Sequence, residues 1–277
     1  MEWIADIWYP TLTVVKYMVV FGLAFGLLSW LMPCNPGMYW WTNLRTAATD
    51  FCYWLVAPIF VRICQIYMLA LSINLLFAGG PVGFAFLFEQ PILVQCILIQ
   101  VLQDVYLYWM HRVFHTPVGW RFHSVHHSTK VLDWLGGARN HMVNSLMTFI
   151  MADILCMLVG FSPEAIGWLA PFNIIWSSLV HANLNWSFGP LRYLIASPVF
   201  HRWHHTLETE GLDKNFAPTF PILDVIFGTF YMPAGKLPAN FGNGEPDYPE
   251  GFIGQFLYPF LGKSSSESEA ATSRNAA

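Results

Sequence analysis

Two short stretches, HSVHH at residues 123–127 and HRWHH at 201–205, spell the same H-x-x-H-H spacing in a chain that is otherwise strongly apolar. Imidazole nitrogen is a good ligand for iron, zinc, copper and nickel. On a helix the first histidine of such a triplet lies three and four residues from the other two, so each triplet projects to one side. His111 and His115, four apart, form a further one-sided pair, and His181 stands alone in HANLNW. All ten histidines, at 111, 115, 123, 126, 127, 141, 181, 201, 204 and 205, fall outside the first 110 and the last 72 residues. An isolated histidine is more often a satisfied polar side chain than a ligand, but clustering reverses that expectation. Two triplets and one pair give more candidate ligands than the four of a typical zinc site, so two metal ions are the simpler explanation.

The residues leading into the first pair add to this pattern. Asp104, His111 and His115 are seven and four residues apart and share a narrow helical stripe, with Tyr108 near the same face. Asp104 precedes His111 by two turns, about 10 Å along the axis, and is therefore better suited to a histidine from another segment. Metal-bound histidines usually donate their second ring N–H to an outer partner, and an ionisable residue deep in a membrane helix is a functional candidate. The competing reading is that Asp104 only marks where the helix leaves the membrane.

Composition sets the elements that must position these groups. The 277 residues are 55% hydrophobic and 11% charged, far from the quarter or so of charged residues in a soluble domain. A membrane protein is expected. Stretches 11–32, 51–77 and 82–110 each supply the roughly 20 mostly apolar residues of a spanning helix. A fourth apolar block, 142–180, is broken by Phe161-Ser162-Pro163-Glu164 and reads as a tight helical hairpin in the membrane. The fold class expected is an all-α polytopic integral membrane bundle of four to five spans, counting the hairpin, with a histidine-rich cap. Residues 1–83 form the N-terminal membrane region, 84–261 the catalytic domain, and 262–277, small and polar without periodicity, a disordered tail. Arg45, then Arg112, Arg121, Lys130 and Arg139, then Arg192, Arg202, Lys214 and Lys236 flank the spans and put both histidine segments on the cytoplasmic side.

Other classes are disfavoured. Thirteen Lys and Arg against 17 Asp and Glu give a net charge of −4 with no basic run, so nucleic acid is an unsuitable partner. The five cysteines are odd in number, mostly in apolar segments, and never form C-x-x-C, which suggests neither a disulfide framework nor a zinc ribbon.

Taken together, DVYLYWMHRVFH (104–115), RFHSVHHS (121–128), His181 in HANLNW, HRWHH (201–205) and NFAPTFPILDVIFGTFYMP (215–233) resemble the fatty acid hydroxylase and sterol desaturase superfamily, over roughly residues 84–233. The resemblance implies a membrane-embedded oxidoreductase with a cytoplasmic cap that holds two iron ions (Fe2+) and uses O2 to hydroxylate or desaturate a lipid. It implies His111, His115, His123, His126, His127, His181, His201, His204 and His205 as the ligands. His141 becomes an outer group or an outlying ligand. Where some relatives place a further histidine four residues after His181, this chain has Asn185, which could hold a water. Asp224 is expected to be structural rather than to orient a ligand.

Breaking an unactivated C–H bond is beyond ordinary acid and base side chains, so a metal must carry that chemistry. No haem, flavin or nicotinamide signature is visible, so electrons are expected from a separate small cytochrome or ferredoxin with its reductase. The lipid is expected to enter from the bilayer of a bacterial inner membrane or an endoplasmic reticulum. Two rival readings stand beside this one. A metal transporter or sensor would place its ligands near the membrane midplane on broken helices. A zinc hydrolase would use the zinc that can replace iron at nitrogen sites, but would also need a general base such as the glutamate of H-E-x-x-H. No glutamate lies in either triplet.

Overall fold

The computed structural model describes residues 2–76 and 83–261, and its regular structure is helical, with no β-strand among the described residues. Eight helices organise it: α1 (Glu2–Leu31), α2 (Leu44–Leu76), α3 (Ile92–Phe114), α4 (Pro117–His127), α5 (Met142–Val159), α6 (Pro163–His181), α7 (Pro198–His204) and α8 (Phe252–Leu261). The tail expected at 262–277 lies outside the described residues.

Three of the helices that carry histidines or lead to them begin with the same local device. Thr116-Pro117, Ser162-Pro163 and Ser197-Pro198 place a hydroxyl at the N-cap and a proline at the first helical position. The hydroxyl takes a backbone N–H that would otherwise be orphaned, and proline has none to lose there. Ser162 Oγ accepts from Ala165 N at 3.2 Å and Ser197 Oγ from Phe200 N at 3.1 Å.

The apolar run 82–110 is not one span. Pro91 caps α3, which starts at Ile92, and a separate helical turn, Ala85–Phe88, precedes it. Proline restricts the residue before it to extended conformations, a break that a count of apolar residues misses. Glu89 consequently lies outside the helix. The predicted hairpin break is present, with α5 ending at Gly160 in the left-handed conformation (φ 119°) and Ser162 opening α6. Within α5, Leu146–Ile150 forms a π turn, and Tyr106 Oη donates to the Met147 carbonyl there at 2.6 Å.

Among the described residues, α3 and α5 are long and apolar enough to cross a bilayer. Leu93, Ile97, Val101, Val105, Trp109 and Val113 recur on one exposed stripe of α3, the pattern of a helix that turns its apolar face outward. On the inner side, Phe21 of α1 and Trp54 of α2 clasp Trp134, with Trp54 Nε1 donating to the Leu135 carbonyl at 3.0 Å. The 3-10 turn Trp134–Ala138 then lies against α6. A Cβ on Gly137 would stand 3.1 Å from Ser177 Oγ and 3.3 Å from His181 Nδ1, so this approach favours glycine.

Candidate metal centre

Nine histidines from four chain segments converge in two groups. His111, His115, His123, His127 and His204 form one, and His126, His181, His201 and His205 form the other. Within each group the potential ligand atoms all lie within 4.8 Å of one another. The groups abut, since the His127 and His205 rings stack with centroids 4.3 Å apart.

Helical geometry explains how one spelling serves both groups. In H-x-x-H-H the first and last rings are about 40° apart around the axis, whereas the middle one falls about 60° to the other side of the first. His123 and His127 accordingly join the five-histidine group while His126 joins the four-histidine group. In the second triplet the roles exchange, with His201 and His205 in the four-histidine group and His204 in the other. Each triplet gives two rings to one group and crosses one ring to its neighbour.

The outer nitrogens fix which atom faces inward. Nδ1 donates to the Phe216 carbonyl from His111 (2.7 Å), to the Arg139 carbonyl from His126 (3.0 Å), to the Ser177 carbonyl from His181 (2.7 Å) and to the Lys214 carbonyl from His204 (2.8 Å). His115 Nδ1 lies 2.8 Å from Asp213 Oδ1, and His123 Nδ1 lies 2.9 Å from Asn144 Oδ1. The Asn144 amide is oriented by its own donation to Asn140 Oδ1. A carbonyl or carboxylate only accepts, so these rings carry hydrogen on Nδ1 and, when neutral, a bare lone pair on Nε2.

The inward Nε2 atoms lie against one another. Nε2 of His111 and His123 are 3.0 Å apart, and Nε2 of His126 and His181 are 3.2 Å apart. Further Nε2 contacts join His181 to His201 at 3.0 Å, His201 to His205 at 3.1 Å and His127 to His204 at 3.1 Å. Neither group contains a carboxylate or thiol. Facing nitrogens at these distances share either a hydrogen or a metal ion, and the all-imidazole donor set fits metal ions that accept imidazole. Burial, followed by repulsion from neighbouring rings, pushes His123, His127, His201 and His205 well below the ordinary 6.5, and burial does the same for His126 and His204. Neutral imidazole is the ligating form.

The outer acceptors are held in turn. Residues 213–217 form a strap whose Asp213 carboxylate, Lys214 carbonyl and Phe216 carbonyl meet three rings of the five-histidine group. Asn215 (φ 59°) donates from Nδ2 to the carbonyls of Phe200 and Tyr231 and accepts from Tyr231 N. Asp224 accepts from Phe216 N at 2.8 Å, Ala217 N at 2.9 Å and Thr229 Oγ1 at 2.6 Å. It meets no ring itself, but by holding the backbone around Phe216 it positions the carbonyl that orients His111, so the structural role expected of it carries an orienting one. On the other side, the carbonyl that meets His126 belongs to Arg139, whose guanidinium is buried against Asp50 at 2.6 Å.

Four sequence expectations change here. Asp104 is fully buried, but its Oδ2 accepts from Phe220 N at 2.9 Å; it holds the C-terminal segment rather than a histidine. Tyr108 is also buried, its hydroxyl bonded to Thr229 Oγ1 at 2.9 Å and its ring stacked on Phe227, so it supports that same segment. His141 caps α5, accepting from Val143 N at Nδ1 and bonding the Phe256 carbonyl through Nε2; both nitrogens are thus engaged, and it joins neither group. Asn185 is exposed and lines a cavity of about 310 Å3 that none of the nine rings borders. Asn144, Asp213, Asn215 and the Asp50–Arg139 pair were not singled out from sequence. Arg139, a charge beside an apolar block, was the available signal.

Residues 96–229 match the fatty acid hydroxylase family. The chain is 29% identical to the ornithine lipid hydroxylase OlsE of Rhizobium tropici over 65% of this chain and 54% of that protein. It is 30% identical to the alkylglycerol monooxygenase of Danio rerio over 48% of this chain and 30% of that protein. Similarity to the very-long-chain aldehyde decarbonylase GL1-4 of Oryza sativa is 25% over 52% of this chain and 24% of that protein. The chain thus spans about half, or less, of the length of these relatives. No solved structure matches it.

Proposed function

We propose that this chain, a member of the fatty acid hydroxylase family through residues 96–229, inserts one oxygen atom from O2 into a C–H bond of a membrane lipid at a centre of two iron ions. The observation that carries the reading is the pair of abutting all-histidine groups whose Nε2 atoms converge. His111, His115, His123, His127 and His204 would hold one ion, and His126, His181, His201 and His205 the other. Such ions, when bound, supply the O2 activation and oxidising power that acid and base side chains lack.

The protein supplies orientation and exclusion. Nδ1 donation to Phe216, Lys214, Arg139 and Ser177 carbonyls locks the tautomer and ring planes and raises ligand basicity. Burial of seven of the nine histidines limits the entry of bulk water to the oxidising site. The balanced reaction is RH + O2 + 2 e− + 2 H+ giving ROH + H2O, with electrons from a separate small cytochrome or ferredoxin and its reductase. Hydroxylation is favoured over desaturation because two of the relatives are named for hydroxylation or mono-oxygenation. The exposed apolar stripe of α3 supports entry of the lipid from the bilayer. In this reading α1, α2, α3 and the α5–α6 hairpin are the membrane elements, and the histidine cap faces the cytoplasm.

Comparative lipid mass spectrometry of cells expressing the wild type or His204→Ala, each with a compatible reductase, tests the proposal. A lipid carrying one extra oxygen, present only with the wild type, is expected. Identical lipid profiles would contradict it, and a product lacking two hydrogens would replace hydroxylation by desaturation.

A further inference from the structure

The two histidine groups differ in how they meet the surface. All four residues of the four-histidine group are buried, whereas His111 and His115 of the five-histidine group are half-buried as whole residues, with the His115 side chain itself 6% exposed. A niche of about 10 Å3 adjoins the latter group, with His115, His127 and His204 on its lining and Trp120, Thr206, Leu207, Leu212, Asp213 and Gly242 around them. That volume holds about one water molecule. The Asp213 side chain is 43% exposed and that of His115 is 6% exposed, at a separation of 2.8 Å. One hydrogen bond therefore connects a solvated carboxylate to a ring of the centre.

Hydroxylation as balanced above releases one water and takes up two protons per turnover. Neither travels favourably through hydrocarbon, because unpaired polar groups there cost several kcal/mol. The lipid, by contrast, arrives along apolar surface. Resting on the proposed oxygenase reading, we infer that this niche is an aqueous port: it passes water-sized molecules between the cytoplasmic side and the metal held by the five histidines, on a route separate from that of the lipid. Thr206 and Asp213 give the path its polar wall, and Leu212 is one of three apolar side chains, with Trp120 and Leu207, that bound it.

The test uses full-length protein loaded with cobalt(II) and azide as a small, water-borne metal ligand, with association followed by stopped-flow absorbance. No lipid turnover is required. Leu212→Phe should slow azide association about tenfold, the scale of an overfilled wall, and Leu212→Ala should speed it, both with wild-type cobalt content. Equal azide rates in all three proteins, with cobalt bound, would overturn the port while leaving the metal centre standing. A wild type that holds no cobalt would remove the metal reading and the port with it. The Ala variant guards against misfolding of the Phe variant, since the two shift the rate in opposite directions.

Discussion

The five-histidine and four-histidine groups draw on the same H-x-x-H-H spelling yet lean on different parts of the chain. The first is oriented by the strap at 213–217, which Asn215 and Asp224 pin from the C-terminal side. The second is oriented by Arg139 and Ser177 carbonyls, and Arg139 is anchored to Asp50 of α2. Histidines on or directly after α3, α4, α6 and α7 supply the candidate ligand atoms, and remote segments specify how each ring is turned. Damage to one support should therefore be felt mainly by one group.

The largest expected effect comes from the ligands themselves. His204→Ala in the five-histidine group and His181→Ala in the four-histidine group should each lower lipid oxidation by more than about a hundredfold, beyond the 10–100-fold typical of losing an outer partner. Product quantified per mole of purified enzyme with reductase checks this. Equal activity in either variant would break the assignment of that group.

Next in size is Asp50→Ala, which leaves Arg139 buried without its carboxylate. Removing one partner of a buried pair costs on the order of 3–5 kcal/mol, so the midpoint of thermal unfolding in detergent should drop sharply. Asp224→Ala should be milder in fold and sharper in locality. It frees the Phe216 and Ala217 N–H groups, and metal affinity of the five-histidine group should fall about 10–100-fold while the four-histidine group stays near wild type. Competition with a chromogenic chelator reads both affinities.

Acidity should act on the two groups alike in sign. Burial holds His123, His126, His127, His201, His204 and His205 well below the 6.5 of the unfolded chain. The unfolded state then binds more protons, so this contribution to metal-free stability is complete above pH 6.5 and is lost as pH falls below it. Unfolding of metal-free protein followed from pH 8 to pH 5 should show the decline. A flat profile would mean that these rings are not held neutral. The smallest effect is expected from His141→Gln, which removes a cap worth about 1 kcal/mol and should leave metal content unchanged.

Much of this site is legible in the sequence, and the illegible part has physical causes. The spacing of 123, 126, 127, 201, 204 and 205 makes the two candidate triplets visible because it is local to single helical turns. Which ring joins which group depends on how α4 and α7 face each other, a tertiary fact. Asp104 looked like a histidine partner because in sequence a carboxylate has no visible backbone donor; Phe220 N, 116 residues away, is that donor. By residue type His141 reads as an outer group or an outlying ligand, but its position just before α5 makes it a cap. The apolar run 82–110 concealed a break because hydropathy ignores the missing N–H of Pro91.

The most direct measurement is an anaerobic Fe2+ titration of the purified chain, with bound iron counted in the wild type, His204→Ala and His181→Ala. Two ions per chain in the wild type, and fewer in each variant, is the predicted result. A wild type that saturates with one ion or none, or a His204→Ala protein that still binds two, would contradict a centre built from two histidine groups.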